Sequence, residues 1–249
     1  MKSTKLITLF SLLLFLPLNM SAAYASVVMS TTRVIYNEGV KSASIQLKNN
    51  DEFPYLIQAW TDEGDESSLP DTQGGPVIAL PSLFKVYPKA GQSIRIVIDN
   101  AKLPKDKESV FFLNALQIPA QSNSDASRNK MVVMVKNRIK VFYRPKSIMG
   151  SSDQAGESLS FSMGVNAGRP VLVVKNPSSY HVSLSRVEVR SAGGKGVTVL
   201  PEMISPQSNR NLHFENKVSM QANKPLDITY FYVNDYGAEV KAVKHINNL

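Results

Sequence analysis

Residues 131–145 read MVVMVKNRIKVFYRP. Successive side chains on a strand point to opposite faces. On that period the second half of the stretch turns Ile139 and Val141 to one side and Lys136, Arg138 and Lys140 to the other. The first half is different: Met131, Val133 and Val135 share one face, Val132 and Met134 the other, and all five are apolar. Strands buried on both faces belong mainly to parallel sheets covered by helices, and no apolar stripe of helical period and length runs through this chain. An apolar strand left open to water is a liability that proteins avoid. Two readings of 131–135 therefore stand: a strand buried on both sides in its own domain, or one whose second face is covered only by another chain. In the latter, backbone pairing gives affinity and alternate side chains enter pockets.

The rest of the chain is written in the same period. Short runs rich in Val, Ile, Phe and Tyr recur between Gly, Pro, Asn and Asp clusters, at 33–36, 42–49, 55–61, 83–86, 93–98, 110–118 and 131–143, then at 158–164, 170–176, 182–190, 211–214 and 227–233. In 42–49, Ala43, Ile45 and Leu47 alternate with Ser44, Gln46 and Lys48, as in a half-buried antiparallel strand. This spacing predicts an all-β chain of two β-sandwiches, one over residues 26–145 and one over 146–249. Pro145, which cannot donate to a ladder, marks the boundary, and the polar stretch 149–156 after it reads as loop. Residues 121–130 and the acidic 62–66 also read as loops, the latter as solvated charge, and Trp60 as a core residue.

Residues 1–25 have the layout of a secretory signal peptide: Lys2 and Lys5, an apolar stretch over 6–18, and Ala23-Tyr24-Ala25 as the cleavage site. Its removal leaves an exported, soluble chain with no later segment of membrane-spanning length, and lowers the formal charge from +8 to +6. A moderate basic excess permits an anionic partner, while dispersed cations and export argue against nucleic acid. The chain has no cysteine, which excludes disulfides, thiol catalysis and cysteine metal sites. His181, His213 and His245 stand apart, without metal-site spacing, and there is no nucleophile elbow or phosphate-cradling loop. No cofactor is implied. The function is expected in a surface, not in catalysis.

Five pieces, in order along the chain, carry a resemblance: TRVIY from Thr32, KESVFFLN from Lys107 leading into Gln117-Ile118-Pro119, RIKVFYRP from Arg138, Asn176-Pro177-Ser178, and YVNDYGA from Tyr232. Together they resemble the periplasmic pilus assembly chaperones of the PapD-like, chaperone–usher family. The resemblance implies two immunoglobulin-like sandwiches set in an L with a cleft between them. It implies partners too: fimbrial subunits that lack a last strand, and an outer-membrane usher that receives them without ATP. The donor side chains then fall on Met131, Val133 and Val135, and the cations that grip the subunit's terminal carboxylate on Arg33 and Lys140. An interdomain ionic group falls on Glu108, Arg144 and Asp235. The free chain could also hide its sticky strand by pairing with itself.

Lys140 has the opposite parity from the three donor residues, so a bulge or twist near Asn137 is needed if they share a face. The compact segment before Met131 and the lack of cysteine suit the short-loop branch of the family. Met131 and Met134 are softer than branched aliphatics and repack easily. Two rival readings remain, an exported two-domain β-sandwich binding protein and a structural fimbrial component, but the latter is normally one incomplete, disulfide-bonded domain.

Overall fold

The computed structural model describes residues 27–71, 75–120, 131–191, 196–214 and 225–246. The expected signal peptide, residues 1–25, and the expected loop at 121–130 lie outside the described residues. Among the described residues, sixteen strands and one short helix fold around two separate apolar cores.

The first core lies between two sheets. One has four strands in the order β1 (Val27–Met29), β3 (Ala43–Asn49), β7 (Gly91–Ile98) and β5 (Val77–Leu80). The other has five, in the order β2 (Arg33–Asn37), β9 (Val135–Arg144), β8 (Ser109–Pro119), β4 (Tyr55–Asp62) and β6 (Leu83–Val86). Alternation selects what is buried: Ile45 and Leu47 from β3, Ile94 and Ile96 from β7, Leu113 and Ala115 from β8, Ile139, Val141 and Tyr143 from β9. Each large side chain so buried contributes about 1.5–3 kcal/mol. The second core lies between β10 (Ser160–Asn166), β11 (Arg169–Asn176) and β14 (Ser208–His213) on one side, and β13 (Val197–Val199), β12 (Leu184–Ser191), β15 (Leu226–Val233) and β16 (Glu239–Ile246) on the other.

An asparagine closes an equivalent corner in each half. Asn49, at the end of β3, donates to the Phe53 carbonyl at 2.8 Å and holds the Asp51 amide at 2.9 Å. Asn176, at the end of β11, donates to the Tyr180 carbonyl at 2.7 Å and holds the Ser178 amide at 3.0 Å. Both side chains are fully buried, where an unpaired amide would be costly.

Several elements differ from the sequence reading. The stretch 149–156 is not all loop: Ser152–Glu157 forms one helical turn, α1, with the Ser151 hydroxyl accepting from the Gln154 amide. The strand expected over 131–143 begins only at Val135, because 131–134 have no neighbouring strand among the described residues to complete a ladder. Strands β1, β5 and β13 are not among the expected runs, being only three or four residues long, and β16 mixes charged with small or branched residues instead of forming an apolar run. Trp60 is buried, but its indole packs outside the main core, with Nε1 donating to Ser68 Oγ at 3.1 Å.

Gly156, in α1, lies against the Tyr232 ring, and its carbonyl accepts from Tyr230 Oη at 3.0 Å. A Cβ at this position would fall 2.5 Å from a ring carbon. Gly156→Ala is therefore expected to lower the unfolding free energy by about 1–3 kcal/mol, measured by urea denaturation followed by circular dichroism; an unchanged midpoint would contradict the packing described.

Candidate functional site

Strand β9 has two halves with different neighbours. From Lys140 onward it lies between two strands: β8, antiparallel, and β2, parallel, with Arg33 opposite Lys140 and Asn37 opposite Arg144. From Val135 to Ile139 it pairs with β8 alone, so its other edge is open among the described residues. Before Val135 the chain runs on without a ladder, and the exposures are 89% for Met131, 66% for Val133 and 44% for Val135, with Val132 and Met134 also exposed. Both faces of this segment are exposed.

The register of β9 on β8 is unbroken, from Gln117 opposite Val135 to Ser109 opposite Tyr143. No bulge occurs at Asn137, so Lys140 keeps the parity opposite to that of Val135. Val135 shares the inward face with Ile139, Val141 and Tyr143, whereas Lys140 lies on the outer face with Lys136 and Arg138. The apolar row at 135 is thus the sandwich's own inward row, continued past the point where the core ends.

Arg33 and Lys140 are brought together as cross-strand neighbours. Arg33 Nη1 donates to the Val233 carbonyl at 2.9 Å, its guanidinium lies 5.8 Å from the Phe142 ring centre, and its buried Nε has no partner. Burial pulls the Arg33 guanidinium below its usual value, against the opposing fields of Asp235 and Glu108. Burial also pulls the Lys140 ammonium down, and the charge of Arg33 adds to this. Two half-buried cations side by side repel, and among the described residues neither has a carboxylate within salt-bridge distance. An anion placed between them would relieve both.

Glu108, Arg144 and Asp235 also meet. Arg144 forks onto Asp235 at 2.7 and 3.1 Å and onto Glu108 at 2.9 and 3.1 Å, with its guanidinium 4.9 Å from the Tyr180 ring centre. Burial disfavours the Arg144 charge, but the hydrogen bonds and charges of the two carboxylates outweigh it and raise its value. Burial likewise pushes the Asp235 carboxyl up, and the Arg144 fork overrides it, holding Asp235 below the usual range. Asp235 follows β15, while Glu108 and Arg144 belong to the first half of the chain. The turn bearing Asp235 is tied by Asn234 Oδ1, which accepts from the amides of Tyr236 at 3.1 Å and Ala238 at 3.0 Å. Gly237, at φ +82°, lets this turn approach Thr32, whose Oγ1 would lie 2.5 Å from a Cβ.

Three participants were not identified from sequence. His181 is not isolated: its amide donates to Glu108 Oε2 at 2.9 Å, its Nδ1 lies 3.2 Å from the same oxygen, and its ring packs on Phe142 at 5.8 Å. Phe142 is buried beneath Arg33 and His181, although it stands on the outer face. Asp62, read as solvated charge, is buried against Arg138, which holds both its oxygens at 2.7 Å. Only the shared parity of Trp60 and Asp62 at the end of a strand hinted at this, and finding the partner requires the strand order.

Comparison with known proteins assigns this architecture. Residues 26–149 match the family described as pili and flagellar-assembly chaperone, PapD N-terminal domain, and residues 154–244 match pili assembly chaperone PapD, C-terminal domain. The chain is 34% identical to chaperone protein FimB/FhaD of Bordetella pertussis, covering 87% of this chain and 86% of that one. It is 36% identical to chaperone protein MrkB of Klebsiella pneumoniae, covering 90% and 92%. Among solved structures, the YadV chaperone aligns with a TM-score of 0.75 at 29% identity, over 89% of this chain and all of that one. The SafB chaperone of Salmonella enterica, solved in complex with the SafA pilin, aligns with a TM-score of 0.71 at 25% identity, over 90% and 97%. Two immunoglobulin-like domains, each matched by its own domain model of one family, make this chain a member of the PapD-like pilus assembly chaperones, which are not enzymes.

Proposed function

We propose that this chaperone acts in the periplasm by lending residues 131–139 as a strand to an incomplete pilus subunit and gripping the subunit's terminal carboxylate with Arg33 and Lys140. The observation that carries the reading is the place where β2 begins. Its first residue, Arg33, stands beside Lys140, and the β9 edge before that point is open among the described residues. A guest strand laid along that edge in line with β2 runs parallel to β9, and its C-terminus arrives between the two cations. The opposite direction would bring an ammonium there, which the cations repel. Charge thus selects strand polarity, and charge-assisted bonds in a half-buried cleft hold the end. Met131, Val133 and Val135 then extend the chaperone's inward row into the guest's core.

The rest of the cycle is part of the same reading. Glu108, Arg144 and Asp235 hold the two domains at a set angle, with His181 closing the group, so that Arg33 stays in place. The subunit passes to the outer-membrane usher, where the next subunit displaces β9 by strand exchange. A chaperone without cargo can cover its open edge with a second copy. The complex of the SafB chaperone with a pilin supports pilus subunits as the partner class.

Arg33→Ala or Lys140→Ala is expected to abolish co-purification of pilus subunits from periplasm while the circular dichroism spectrum is unchanged, and polar replacements at Val133 and Val135 should do the same; undiminished yields in both alanine variants would refute the anchoring role.

The cation pair also carries a cost in the free protein. A lysine whose native value lies below its unfolded value binds its proton less well when folded, so the penalty is fully present at neutral pH and fades as pH rises through the native value. Lys140→Met should therefore raise the unfolding free energy at pH 7 by about 0.5–1 kcal/mol, the size of a screened cross-strand repulsion. The gain over the parent should shrink at alkaline pH. Urea titrations across pH measure this, and a destabilised Lys140→Met chain would contradict it.

A further inference from the structure

The outer face of β9 carries a ladder of three cations, Lys136, Arg138 and Lys140, spaced two residues or about 7 Å apart. A guest strand that slips by one residue turns its side chains to the wrong face. A slip by two residues does not: parity is kept, and the guest's carboxylate would move from Lys140 to Arg138. Toward the C-terminal end of β9 the slip is blocked, because Arg33 and β2 occupy the edge. Toward the N-terminal end no strand stands in the way among the described residues.

What differs along the ladder is the neutralisation. Arg138 is held by both oxygens of Asp62 at 2.7 Å, by the Asp65 carbonyl at 3.2 Å, and over the Phe112 ring at 4.0 Å. Asp62 is fixed in turn by Asn114 Nδ2 at 2.6 Å and Ser68 Oγ at 3.2 Å, and the latter hydroxyl accepts from Trp60. Lys136 Nζ donates to the Glu66 carbonyl at 2.8 Å. The segment after β4 therefore crosses the outer face as a strap that occupies the two cations nearest the donor segment, and leaves Lys140 without an acceptor among the described residues.

We propose that Asp62 is a positioning residue that sets the register of subunit capture: by pairing with Arg138, it removes the one guanidinium that would accept the guest's carboxylate two residues out of place. This rests on the carboxylate-anchoring reading above and adds to it the determinant of which cation is used. Arg138 is the dangerous neighbour because its fork can take a carboxylate bidentately, whereas Lys140 offers a single point charge.

The cysteine-free chain permits a direct test. The probe is a synthetic peptide of alternating valine and threonine with a free C-terminal carboxylate and one cysteine, placed to face residue 134 when the carboxylate lies beside Lys140. Disulfide yields are compared between chains carrying Met134→Cys and chains carrying Val132→Cys. In the parent the Met134→Cys product should dominate. With Asp62→Asn added, the ratio should fall by about tenfold, the effect of making one charge-assisted bond available at Arg138. Adding Arg138→Gln to Asp62→Asn should restore it. The ratio is read within cross-linked product, so a smaller folded fraction does not change it, and Asp62→Ser serves if Asp62→Asn does not fold. If the free-acid peptide cross-links no better than its amide in the parent, the anchoring reading falls and this one with it. If the parent prefers the free acid but the ratio stays put in Asp62→Asn, or is not restored by Arg138→Gln, the register role of Asp62 alone is overturned.

Discussion

The structure depends on one ladder that stops short. Strand β2 joins β9 in parallel only from Arg33 and Lys140 onward, and β9 continues in the other direction with β8 on one side and, among the described residues, an open edge on the other. Alternation along β9 is not interrupted at that point. The face that buries Ile139, Val141 and Tyr143 in the chaperone's own core carries Val135 outside it. In the proposed function, the same strand serves one completed sandwich and is lent to another. Both features of the exposed half, apolar side chains and an unpaired backbone edge, are ones that soluble proteins normally suppress. They persist here beside two cations that have no carboxylate partner among the described residues, and the guest strand proposed above, ending in a carboxylate, would relieve all three.

The interdomain group makes this arrangement rigid. Arg33 is not held by its own domain alone: its guanidinium donates to the Val233 carbonyl of the second domain and rests on Phe142. The second domain is in turn fixed by Arg144, which spans Glu108 and Asp235, and by His181 on the far oxygen of Glu108. Buried ionic groups of this kind are weak evidence for net stability, because desolvation offsets the attraction. Their directional hydrogen bonds do fix geometry. A shift of the turn at Asn234, which Gly237 brings against Thr32, would move Asp235 and Arg33 together. Domain angle and the proposed anion site are therefore coupled through these contacts.

Much of this was legible in the order of residues, because strand alternation is a local property. The two faces of β9, the buried set in β3 and the all-β architecture follow from period two. The open edge was not legible, since exposure depends on which strands are neighbours. That is why 131–135 admitted two readings from sequence. The same limit hid Asp62. Its charge, seen among Glu63, Asp65 and Glu66, reads as solvated, and only the β4–β8–β9 order puts it across from Arg138. A bulge near Asn137 would be required only if anchor and donor side chains shared a face. They need not: Val135 keeps the inward parity of the core row, and Lys140 stands on the outer face where β2 begins.

Hydrogen–deuterium exchange on the chaperone alone and bound to a captured pilus subunit tests the central claim most directly. The account predicts that amides of residues 131–139 exchange quickly in the free chain and become protected in the complex, while those of 141–144, already between β8 and β2, change little. Unaltered exchange over 131–139 in a stable complex would contradict it.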